Sequence, residues 1–114
     1  SKQMCEKPIA PEFWAFADVA PHWDRLVMRS FIEENGARVL YQEGSVTAMQ
    51  DPLALIQGFE GHPALDDGAL MFCGTFAAKG GIRPADHFEF EIHDPVLNRT
   101  IRHAYRLEKL PVLG

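Results

Sequence analysis

The chain has 114 residues, 46% of them apolar, and a formal charge of −5. That length supports one domain around a single core. The acidic balance argues against the phosphate-neutralising surface that nucleic-acid binding needs. No apolar run approaches the roughly 20 residues of a membrane-spanning helix, and residues 1–13 lack the charged-then-apolar order of a secretory signal. Cys5 and Cys73 are too few for a disulfide framework, so the expectation is a reducing cytoplasm, with no nucleic-acid and no membrane partner.

In chain order, residues 1–10 read as a polar arm and residues 11–114 as the single domain. Pro11 suits the first position of a helix, and residues 12–20 carry an aromatic face of Phe13, Trp14 and Phe16. Pro21 should break or kink that helix. Residues 22–35 predict an amphipathic helix, with Trp23, Leu26, Val27, Phe31 and Ile32 in one stripe and Asn35-Gly36 as its C-cap. Residues 38–42 and 45–49 read as two short strands about a turn at Glu43-Gly44. Asp51 and Pro52 signal a helix start, with two turns over residues 53–59. Residues 60–68 have the Gly, Pro and Asp content of a loop. Residues 69–78 are apolar on both faces, as in a central strand or one covered at an interface, with Gly74 expected beneath Phe90.

Residues 86–107 carry the clearest pattern. Phe88, Phe90 and Ile92 alternate with His87, Glu89, Glu91 and His93, and Ile101, His103 and Tyr105 alternate with Arg102, Ala104 and Arg106. An antiparallel hairpin about Val96-Leu97 sets Ile92 opposite Ile101, Phe90 opposite His103 and Phe88 opposite Tyr105. The same register sets Glu91 opposite Arg102 on the other face, an opposite-charge pair that stabilises a sheet. The alternative is a helix over residues 94–110, with Asp94 as its cap and Pro95 in its first position.

The expected fold is α+β, with N-terminal helices packed on a curved, mainly antiparallel sheet of about five strands in a cone-like or roll architecture. In its order of elements the chain resembles cone-shaped folds of the nuclear-transport-factor and ketosteroid-isomerase type. That resemblance implies a fold and brings no activity with it.

His103 falls on the apolar face beside Tyr105, where a neutral imidazole can act as general acid or base and the phenol can position a substrate oxygen. The competing reading is a core histidine bonded to a backbone carbonyl. Asp24 could supply a carboxylate to a cavity rimmed by Trp14 and Trp23, or cap a helix at the Pro21 break. Tyr41, Phe88 and Phe90 complete the candidate ligand-binding set. His87, Glu89, Glu91 and His93 share a strand face and could ligate a metal, but an ion-pair surface explains them better. His62 with Asp66 and Asp67 forms a weaker cluster, without calcium-loop spacing. Phosphate-binding loops and HExxH, CxxC and GxSxG motifs are absent, so no cofactor and no metal is expected.

Two function classes follow. One is a small-ligand-binding domain with an apolar cavity, performing proton transfer of an isomerase- or dehydratase-like kind through His103, Tyr105 and Asp24. The other is a non-enzymatic assembly module that forms a homodimer through its sheet face, because residues 69–78 carry little charge.

Overall fold

In the computed structural model, which describes residues 5–59 and 64–111, two hairpins lie side by side in one antiparallel sheet. The first joins β1 (Val27–Glu34) to β2 (Ala37–Ser45), and the second joins β3 (His87–Asp94) to β4 (Arg99–Arg106). The order across the sheet is β2-β1-β3-β4. Two α-helices, α1 (Phe16–Val19) and α2 (Pro52–Gly58), complete an α+β fold with four strands instead of the expected five.

The second hairpin has the register read from its alternation: Ile92 opposite Ile101, Phe90 opposite His103, Phe88 opposite Tyr105 and Glu91 opposite Arg102. Asp94 caps its turn instead of a helix, its Oδ1 accepting from the Val96 and Leu97 N–H groups at 3.0 and 3.1 Å.

Residues 22–35 correct the sequence reading. They hold no α-helix. A 3-10 segment, Ala20–Arg25, leads into β1, which pairs with β2 on one side and β3 on the other. The stripe of apolar residues fits a helical period, but Met28-Ser30-Ile32 against Val27-Arg29-Phe31-Glu33 is equally an alternation. Ladder hydrogen bonds on both sides decide in favour of the strand. Asn35 and Gly36 have φ of 52° and 78°, so they form the two-residue primed turn of a hairpin instead of a C-cap. The element order behind the resemblance to cone-shaped folds changes with this strand.

Other differences are smaller. The first helix is the single turn α1, and the chain passes into the 3-10 segment just before Pro21. The two strands expected across residues 38–49 are one strand, β2, followed by a 3-10 turn at Val46–Ala48. The helix at Asp51 forms as read, with Asp51 Oδ2 accepting from Ala54 N–H at 2.9 Å. Residues 69–78 hold no helix or strand and do not join the sheet, and Gly74 at φ +120° departs from strand geometry.

One face of the sheet carries Met28, Ser30, Ile32, Phe88, Phe90, Ile92, Ile101, His103 and Tyr105, as the register and period-two alternation require. At the end nearest the β3–β4 turn, Val19, Leu26 and Val46 form a buried cluster with Trp14, Trp23, Met28, Met49 and Ile92 packed around it. Along the β2 side, residues 73–83 cross this face as a strap. The part of the face formed by His103 and Tyr105 is only half-buried.

Candidate functional site

The strap is fixed to the sheet at several points. Gln50 N–H donates to the Cys73 carbonyl at 3.0 Å and Lys79 N–H to the Tyr41 carbonyl at 2.7 Å. Arg83 makes a two-pronged ion pair with Glu34, both bonds 2.8 Å, and lies 5.2 Å from the centre of the Tyr41 ring. The hydrogen bond from Arg83 lowers the Glu34 pKa. Tyr41 is the extra residue of a bulge where the β1–β2 register shifts. Its hydroxyl accepts from Arg83 N–H at 3.3 Å. Gly44 permits close contact, because a Cβ there would meet the Phe76 ring at 3.0 Å.

Between strap and sheet lies a recess of about 100 Å³, lined mainly by Met28, Met49, Phe76, Phe88 and Phe90, with Ser30, Gln42 and Thr75 on its polar side. Its volume equals that of about three water molecules. Ser30 Oγ donates to Gln42 Oε1 at 2.7 Å, and Gln42 Nε2 donates to Thr75 Oγ1 at 3.1 Å and to the Phe76 carbonyl at 2.7 Å. The Ser30 proton is therefore committed, while its lone pairs meet no donor among the described residues. Thr75 accepts from Gln42 and keeps its own proton to donate. The recess thus offers one acceptor and one donor within an apolar lining.

Phe90 lines the recess and also meets His103 edge-on, with centroids 5.8 Å apart. Phe88 meets Tyr105 at a tilt, with centroids 5.6 Å apart, and Tyr41 edge-on at 6.4 Å. Neither ring nitrogen of His103 has a hydrogen-bond partner among the described residues, so the backbone-bonded core histidine is not what forms. Burial raises the Tyr105 phenol pKa. Five of the sequence-predicted residues, His103, Tyr105, Tyr41, Phe88 and Phe90, therefore share one aromatic wall.

The other three lie apart from it. Trp14 lies 4.3 Å beneath the Arg99 guanidinium, and Trp23 lies 5.5 Å from Phe16; both pack on the buried cluster. Asp24 is exposed in the 3-10 segment, without an ion-pair or hydrogen-bond partner among the described residues. Beside the two tryptophans is a pair the sequence did not suggest. His22 Nε2 donates to Asp94 Oδ2 at 2.8 Å, and Arg99 Nε reaches the same oxygen at 3.3 Å. Burial alone would raise the Asp94 pKa. The His22 bond, the Leu97 and Val96 N–H groups and the His22 charge outweigh it and hold it at about 2. All four lone-pair positions of this carboxylate are occupied by the chain itself. Asp94 is thus a node joining the N-terminal segment to the hairpin turn, with no capacity left for a ligand.

The possible metal-binding strand face is an ion-pair surface. Glu89 accepts from Arg38 at 2.6 Å, Glu91 faces Arg102 at 3.4 Å, and His93 bonds Thr100 at 2.8 Å. No group of three metal-ligating side chains occurs among the described residues. His62 lies outside the described residues. A larger groove of about 280 Å³ is bounded by Glu33, Glu34, Asp86 and Lys109, but it is polar and no residue of the aromatic wall lines it.

A model of one protein family, described as "Protein of unknown function (DUF2848)", matches residues 1–105. The chain belongs to the DUF2848 family. No curated protein and no solved structure matches it. Among the described residues of this DUF2848 chain, no helix is long and apolar enough to cross a membrane.

Proposed function

We propose that the aromatic wall and the recess beside it bind a small ligand with one polar and one apolar end, and that His103 exchanges a proton with that ligand. The observation carrying this reading is the half-buried imidazole, without a hydrogen-bond partner among the described residues, next to a ring that also lines a recess with a spare donor and acceptor. A hydroxyl inserted between Ser30 and Thr75 would satisfy both, and a carbonyl would accept from Thr75. The rest of the ligand would lie over Phe88 and Phe90, within reach of His103 and Tyr105. Strap and sheet then act as a roll closing round the ligand, in an isomerase- or dehydratase-like site. Trp14 and Trp23 belong to the packed end, Asp24 is exposed beside it, and none of the three takes part. Free thiols at Cys5 and Cys73 fit a reducing cytoplasm.

The test is to follow the imidazole signals by NMR while titrating a panel of hydrophobic carbonyl compounds into the protein and its His103→Gln and Thr75→Val variants. Saturable shifts at His103 that weaken in Thr75→Val support the site. A panel without response, or shifts indifferent to Thr75, overturns it.

A second reading, a self-associating assembly module, is favoured by side chains left in solvent. Leu70, Phe72 and Ile82 are 72, 71 and 94% exposed, and the radius of gyration is 16.0 Å, where a compact chain of this length gives about 13 Å. Leu70→Lys with Phe72→Lys should then reduce association in sedimentation, and an unchanged mass would count against that surface.

A further inference from the structure

We infer that the outer edge of β4 is a pairing edge for a second copy of this chain, in one defined register. The inference begins with the two margins of the sheet. The β2 margin is already used, since it carries the bulge at Tyr41 and accepts a strap hydrogen bond from Lys79 N–H. The β4 margin is open. Leu107 N–H donates to the Asp86 carbonyl at 2.8 Å, so the inward-bonded positions of β4 are the odd ones, Ile101, His103 and Tyr105, by the alternation of an antiparallel ladder. The N–H and C=O groups of Thr100, Arg102, Ala104 and Arg106 therefore point outward. None of them has a backbone partner among the described residues.

Natural edges of this kind are usually blunted by charge, and here the charge selects a register instead. Antiparallel pairing of β4 with its own copy offers three central registers. One sets Arg102 opposite the partner subunit's Arg102, and another sets it opposite the partner subunit's Arg106; both place like charges face to face. The third sets Arg102 opposite the partner subunit's Ala104 and Arg106 opposite the partner subunit's Thr100. It pairs every position from Thr100 to Arg106 and sets no guanidinium directly opposite another, leaving Arg102 only diagonal to the partner subunit's Arg102 and the partner subunit's Arg106. Arg102 also leans back toward Glu91, at 3.4 Å, which draws its charge off the edge.

This register has a consequence for the aromatic wall. Ile101 faces the partner subunit's Tyr105, and His103 faces the partner subunit's His103 across the two-fold axis. The two walls become one continuous surface on a sheet of eight strands, and each His103 gains its missing neighbour from the other copy. The pairing is independent of whether a ligand binds.

Sedimentation velocity over a concentration series tests it, with circular dichroism confirming that each variant is folded. Ala104→Glu places a carboxylate opposite the partner subunit's Arg102 and should tighten the dimer, an effect that fades in high salt. Ala104→Arg should loosen it at least tenfold. Ala104→Pro removes an N–H that the isolated chain does not use, so it should yield folded monomers. Three outcomes overturn the inference. The unmodified chain could be a monomer at about 100 µM. Ala104→Glu could weaken association, which means another register. A dimer could ignore all three substitutions yet dissolve with Leu70→Lys and Phe72→Lys, which assigns it to the other surface.

Discussion

Gly44→Ala measures how tightly the strap is seated, and its effect should change sign with the residue at position 76. The new Cβ would stand 3.0, 3.2 and 3.3 Å from three carbons of the Phe76 ring, where relaxed carbon contacts begin at about 3.5 Å. The ring must retreat by roughly half an ångström, although the Phe76 carbonyl is held by Gln42 at 2.7 Å. Overpacking of this kind costs about 1–3 kcal/mol. Against it stands the gain from removing a glycine in a strand interior, about 0.5–1 kcal/mol. With Phe76 present the substitution should therefore be neutral to destabilising, by up to about 2.5 kcal/mol. With Phe76→Ala already in place only the backbone gain remains, and Gly44→Ala should stabilise by about 0.5–1 kcal/mol. Urea unfolding of the four proteins, followed by tryptophan fluorescence, closes the double-mutant cycle. A coupling energy near zero would mean that Phe76 does not lie over Gly44, and the recess would lose its roof.

Leu26 is fully buried, so Leu26→Ala should cost about 3–5 kcal/mol in denaturant unfolding. Phe31 lies on the opposite face under Arg38, 3.5 Å from the ring centre, and Phe31→Ala should cost only about 1–2 kcal/mol; the reverse order would contradict the assignment of faces. Asp94 titrates at about 2 in the folded chain against an ordinary 3.8. Its contribution is therefore complete above about pH 4 and is lost as pH falls toward 2. Asp94→Asn should lower stability at neutral pH and flatten the acid limb of the stability–pH curve, and parallel curves would remove the charge from the account. Gln42→Ala unties the strap from Thr75 and Phe76, so trypsin should cut after Lys79 several-fold faster; an unchanged rate would show that the other anchors suffice.

Much of the β3–β4 hairpin was legible because two independent patterns agreed: apolar alternation on one face and Glu91 against Arg102 on the other. Residues 27–34 lacked that second check. Their apolar residues satisfy both periods, and only partners on either side settle the matter. Asn35-Gly36 held the missing signal, since Asn-Gly between apolar runs marks a hairpin more strongly than a helix end. Residues 69–78 looked like a strand from composition, but Gly74 takes a conformation outside strand geometry. The aromatic wall was visible as far as alternation reached, through Phe88, Phe90, His103 and Tyr105. Its polar side was not, because Ser30, Gln42 and Thr75 meet only after β1 pairs with β2 and the strap crosses them. The His22–Asp94 bond joins residues 72 positions apart, and neither carries a motif.

The sheet consists of two hairpins, each closed by a short turn, joined only where β1 meets β3. Each hairpin can form within microseconds from local contacts, whereas their union must close the long connection of residues 46–86. The slow step of folding should therefore be the docking of two preformed ribbons. Substitutions between β1 and β3 should then slow folding, while those in the turns mainly alter how often each ribbon is ready. Loop-closure entropy grows only with the logarithm of length, so doubling that connection would add only about 0.6 kcal/mol. The turn at Asp67 and Gly68 is thus a place where this chain can accept an inserted segment without losing the sheet.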